Sequence, residues 1–83
     1  MTDYNKQYKK KEVTRKRYET YIVNSEPGLN LRDVPDGDIL TVLPNNTRVS
    51  FNGGVKMAGD VTWLLVKAGS TEGYVMERYL KRT

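Results

Sequence analysis

The sequence predicts a small all-β barrel of five to six short strands. Three observations carry this. Apolar residues after Tyr18 recur with period two or in runs of four to eight, never with helical period over ten residues. Turn-forming clusters of Pro, Gly, Asn, Asp and Ser separate the runs every several residues. One chain of 83 residues holds a single domain, and many short strands in a small domain favour a closed or curled sheet.

The strands follow in order. Tyr18 to Val23 is rich in β-formers and is the first. Asn24-Ser25-Glu26-Pro27-Gly28 is a turn, since Pro27 fixes φ and Gly28 permits the left-handed region. In the next strand Leu29 and Leu31 point to one face, Asn30 and Arg32 to the other. Residues 33–38 hold one Pro, one Gly and three Asp, and form a loop. Ile39 to Leu43 is a strand, and Pro44-Asn45-Asn46-Thr47 is a turn in which Asn46 tolerates positive φ. Arg48 to Phe51 alternates, and Asn52-Gly53-Gly54 is expected to end it, with Val55 to Asp60 an excursion. Val61 to Ala68 is the longest strand, with Thr62, Leu64, Val66 and Ala68 on one face and Val61, Trp63, Leu65 and Lys67 on the other. Gly69-Ser70-Thr71 turns the chain into the Tyr74-Val75-Met76 strand, and Glu77 to Leu80 forms a short helical turn.

Charge divides the chain into two parts. Residues 1–20 carry Lys6, Lys9, Lys10, Lys11, Arg15, Lys16 and Arg17 against Asp3, Glu12 and Glu19, which accounts for the whole net charge of +4. Residues 21–83 balance to zero. Before Tyr18 the only apolar residues are Met1, Tyr4, Tyr8 and Val13, too few to offset the entropy of ordering. Residues 1–17 are therefore expected to be a disordered basic arm or linker, and 18–83 the barrel.

Composition narrows the function classes. The chain has no cysteine and no histidine, which removes disulfides, thiolate ligands, the usual general base and the commonest metal ligand. No Ser/His, Cys/His or Lys-activated serine arrangement is present, so no catalysis and no cofactor is expected. Asp33, Asp36 and Asp38 share a loop, but their spacing does not match a calcium loop, and Asx-turn chemistry explains them without metal. The barrel is neutral and carries no RNA-binding aromatic signature, so specific nucleic-acid binding is not expected, although the basic arm suits polyanions. No apolar run reaches the ~20 residues of a membrane span, and no apolar segment follows the early lysines as in a signal peptide.

The motif order from Leu29 to Leu80 resembles the bacterial SH3 family. The residues concerned are Leu29-Asn30-Leu31-Arg32-Asp33-Val34-Pro35, Ile39 to Leu43, Thr47-Arg48-Val49, Trp63 to Val66, Gly73-Tyr74-Val75 and Tyr79-Leu80. Val34 stands where the family commonly has glycine, and Asn46 replaces the usual turn glycine. The 33–38 loop is shorter and the 52–61 segment longer than in compact members. The resemblance implies an SH3-like barrel with a non-catalytic binding role, most often toward peptidoglycan or cell-wall peptides, as a targeting module of a bacterial or phage wall-active system.

The expected ligand-binding residues are Asn30, Arg32, Asp33, Asp36, Trp63, Tyr74 and Tyr79. The amide and guanidinium of Asn30 and Arg32 suit a peptide backbone and a carboxylate. Trp63, Tyr74 and Tyr79 offer rigid aromatic area at low entropy cost. The acidic loop suits the amines of a wall peptide. Leu65 shares the Trp63 face, and an exposed pair of these would suit a protein partner or a self-interface. The structural counter-readings are Trp63 as a buried framework residue, Arg32 as a partner of Asp33 or a loop carbonyl, and Leu65 as packed beneath the basic arm. The alternative function is a protein-binding adaptor or inhibitor acting inside the cell, using the barrel edge and the 52–61 segment. The first reading places the protein at the cell wall or outside the cell, the second in the cytoplasm. The sequence leaves the oligomeric state open.

Overall fold

A computed structural model describes residues 19–83. The expected disordered arm, residues 1–17, lies outside the described residues. The rest is one antiparallel sheet of seven strands curled into a half-barrel. The strands are β1 (Glu19–Val23), β2 (Gly28–Arg32), β3 (Ile39–Pro44), β4 (Arg48–Ala58), β5 (Val61–Ala68), β6 (Thr71–Met76) and β7 (Leu80–Arg82), with one 3-10 turn, Glu77–Tyr79, between β6 and β7. Their spatial order is β3-β2-β6-β5-β4-β1-β7. The all-β expectation holds. The strand number is seven rather than five to six, because Leu80 leaves the 3-10 turn at once and pairs with Val23.

The core follows the alternation. Tyr21 and Val23 of β1, Leu29 and Leu31 of β2, Leu43 of β3, Val49 of β4, Leu64 and Val66 of β5 and Val75 of β6 form one buried cluster, with Phe51, Ala68 and Leu80 packed against it. The inward face of β5 is the Leu64-Val66-Ala68 face that its period of two predicts. Backbone hydrogen bonds join β1 to the loops. Val23 N donates to Thr47 O at 2.9 Å, Asn46 N to Val23 O at 2.8 Å, and Asn24 N to Tyr79 O at 2.8 Å. Asn46 has φ of 75°, the left-handed conformation expected of it.

One boundary differs in a way that matters. The strand beginning at Arg48 does not end at Asn52-Gly53-Gly54 but continues to Ala58. Phe51 pairs with Val66 and Val55 with Leu64, so residues 52–54 all lie opposite the single residue Leu65. This is an enlarged β-bulge. Gly53 takes φ of +94°, and at Gly54 a β-carbon would stand only 3.0 Å from Leu65 Cβ. The glycines let the strand bend and continue instead of ending it. Beyond them β4 and β5 form a hairpin tipped by Gly59-Asp60, with Val55 and Met57 exposed along it.

Candidate functional site

Cross-strand register decides which side chains share the outer face of the sheet. Asn30 lies opposite Val42, and Arg32 lies opposite Ile39 on one side and Tyr74 on the other. Tyr74 is opposite Leu65, Met76 opposite Trp63, and Trp63 opposite Lys56. Directly opposed residues point the same way. Asn30, Arg32, Trp63 and Tyr74 therefore lie on the face turned away from the core cluster, as the alternation of β2 and β5 required.

A groove of about 340 Å³ opens on this face. The 25–30 segment forms one wall, with Ser25, Glu26, Pro27 and Asn30; Arg32 lies beside it, and Trp63, Met76 and Tyr79 form the floor and far wall. The turn is held from below, where Ser25 Oγ donates to Gly28 O at 2.8 Å and Ser25 N to Asn45 Oδ1 at 2.9 Å. Asn45 Nδ2 in turn donates to the Glu26 carboxylate at 3.0 Å. Arg32 is also pre-positioned. Its Nη1 donates to Gly37 O at 2.7 Å, leaving its other N–H donors unspent by this bond. The groove thus combines a carboxylate, a guanidinium, an amide, a phenol and a thioether on supports that are already ordered.

The expected site residues separate into groups. Asn30, Arg32, Trp63 and Tyr79 come together in the groove. Tyr74 shares the face but lies outside the groove, with Lys56 Nζ 5.8 Å from its ring centre. Asp33 and Asp36 do not line it. Asp33 serves its own loop, since Oδ1 accepts from Val34 N at 2.7 Å and Asp38 N at 2.9 Å. Asp36 sits exposed at the loop's tight turn with φ of 60°. Trp63 is only 1% exposed, so it presents no free ring face for stacking. Its Nε1 is buried and finds no acceptor among the described residues, so packing alone holds the indole.

Met76, Ser25, Glu26 and Pro27 were not foreseen. Met76 was legible in principle, since it follows Tyr74 by two on the same face. The Pro27 turn joins the site only through tertiary placement.

Two other concavities are chemically poorer. One of about 530 Å³ is lined by the polar and charged side chains of Ser50, Asn52, Lys67, Ser70 and Glu72, with no aromatic residue among them. Another of about 410 Å³ lies by Asp60, Val61, Thr62, Glu77 and Arg78. Among the described residues no group of three or more acidic, His or Cys side chains is placed to hold a metal ion. No helix among them is long and apolar enough to cross a membrane. No protein-family model, no curated protein and no solved structure matches this chain.

Proposed function

We propose that this chain is a non-catalytic binding module that takes a short peptide carrying both carboxylate and amine groups, as peptidoglycan stem peptides do. The observation that carries this reading is the placement of Arg32 and Glu26 on one groove that Asn30 and Tyr79 also line. A guanidinium binds a carboxylate with fixed geometry, a carboxylate binds an amine, and an amide side chain satisfies the intervening backbone. The motif order shared with bacterial SH3 domains supports the wall as the source of that peptide. A shallow groove binds weakly alone and gains from repetition of its ligand on a polymer.

The test is co-sedimentation of the full chain with purified Gram-positive sacculi stripped of teichoic acid, at physiological salt. Retention is expected, and Asn30→Ala and Tyr79→Ala are expected to weaken it about tenfold each, the loss of roughly one hydrogen bond or aromatic contact. Absence of wild-type retention, or equal retention of both variants, would overturn the reading.

A second reading, a protein-binding adaptor or inhibitor, is favoured by the β4–β5 hairpin. Val55 and Met57 are 53% and 63% exposed there, and Met adapts readily to varied partners. Under that reading Met57→Asp abolishes partner capture and leaves sacculus binding at background for wild type and variant alike.

A further inference from the structure

Among the described residues the sheet ends at two edges that are built differently. The β7 edge is three residues long and carries Lys81 and Arg82, the usual protection against strand addition. The β3 edge is six residues long, and from Ile39 to Thr47 the chain has no charge at all. Ile39, Leu40 and Val42 are 50%, 47% and 55% exposed, and Val34 beside them is 48% exposed. Four of the seven large apolar side chains exposed among the described residues therefore gather at this one edge. Such an edge is a template for another strand.

We propose that β3 is the contact by which two copies of this chain associate, edge to edge and antiparallel. The reason for choosing a second copy is the charge pattern on either side of the strand. Asp33, Asp36 and Asp38 precede it, and Arg48 follows it. A two-fold axis between Leu40 and Thr41 sets Ile39 opposite Val42, the two residues that the β3 bulge leaves on the same outer face. It also directs the acidic loop of each copy toward the 44–48 segment of the other, which carries Arg48, while the Glu26 carboxylate beside that segment is engaged by Asn45 Nδ2 at 3.0 Å. The two acidic loops then lie at opposite ends, so like charges stay apart. The bulge at Leu31/Arg32 and the imide nitrogen of Pro44 shorten the free ladder, so the apolar side chains provide most of the contact. An interface of one short strand belongs to the weak class, and association is expected roughly in the micromolar to submillimolar range.

The geometry also has a functional side, which rests on the binding role proposed above. Antiparallel edge pairing requires the two-fold axis to stand perpendicular to the sheet, so both outer faces look the same way. Ile39 and Val42 share that face with Arg32 and Asn30. The pair of molecules would present two grooves side by side to one repetitive polymer.

Sedimentation velocity of the full chain over a concentration range tests the contact, without reference to any ligand. A concentration-dependent dimer is expected. Val42→Lys and Ile39→Lys, both at exposed positions, are expected to weaken it at least tenfold while leaving the far-ultraviolet circular dichroism unchanged. Arg48→Glu should weaken it too, and Asp36→Arg combined with Arg48→Glu should restore it. A monomer at every concentration overturns the proposal, whether its β3 amides exchange rapidly with deuterium or are protected by another segment of the same chain. So does a dimer that the two lysine variants leave unchanged. If the dimer forms as described and sacculi are not retained, the contact stands and only the peptidoglycan reading falls.

Discussion

Trp63 is the residue on which the stability of the outer face depends most. It is the largest of the fully buried side chains, yet it lies outside the main apolar cluster. Trp63→Ala should cost about 3–5 kcal/mol in urea unfolding, the range for emptying a large aromatic site, and is unusable as a ligand-binding variant. Trp63→Phe should cost clearly less, because it keeps much of the packing and removes an N–H that has no acceptor. Tyr21 gives a prediction in pH. Burial pushes its phenol above the ordinary value of 10.0, and the hydrogen bond it donates to Glu19 at 3.0 Å adds to the shift. The folded state therefore resists ionisation that the unfolded state undergoes freely. The contribution is fully present below pH 10.0 and is lost as pH rises through the folded value. Stability measured by denaturant should fall above pH 10, and Tyr21→Phe should flatten that fall. The exposed Arg82–Glu19 pair at 3.3 Å should matter little by comparison.

At the scale of the elements, two close approaches set the shape of the sheet. A β-carbon at Gly73 would stand 2.6 Å from Arg32 O, so β6 can pass β2 this closely only without a side chain there. Gly73→Ala should destabilise the fold by about 1–3 kcal/mol and loosen the groove that Arg32 borders, read as a lower denaturation midpoint. The bulge at 52–54 explains where sequence reading stopped short. Asn-Gly-Gly is ordinarily a terminator, and period two cannot tell a strand that ends from one that bends and resumes. Only pairing with Leu64 and Trp63 across the hairpin decides it. The outward direction of Asn30, Arg32 and Trp63 was legible for the opposite reason. Leu29, Leu31, Leu64 and Val66 fix the inner face of each strand locally, and the remaining residues have one direction left. What covers Trp63 was not legible, because the 25–30 turn and Tyr79 reach the groove from separate parts of the chain.

For the whole molecule, charge is the property that separates specific from nonspecific binding. Residues 19–83 carry a nearly balanced charge, while residues 1–18 hold the basic excess. If the groove carries recognition, retention on stripped sacculi should persist when salt is raised from about 0.15 M to 0.5 M. Retention driven by the lysines would collapse over that range, because screening shortens to a few ångströms. The barrel itself was legible because the strands alternate around one core everywhere but at the bulges in β3 and β4. The loop geometry that shapes its surface obeys no such period.

The burial of Trp63 beside Met76 has a spectroscopic consequence. The chain has a single tryptophan, so its emission comes from one site on the floor of the groove. Native protein should emit at shorter wavelength than unfolded protein, without interference from any second indole. A ligand that displaces Met76 or Tyr79 should alter the intensity at once. The molecule therefore contains its own optical sensor of occupancy, and titrations with candidate peptides need no label.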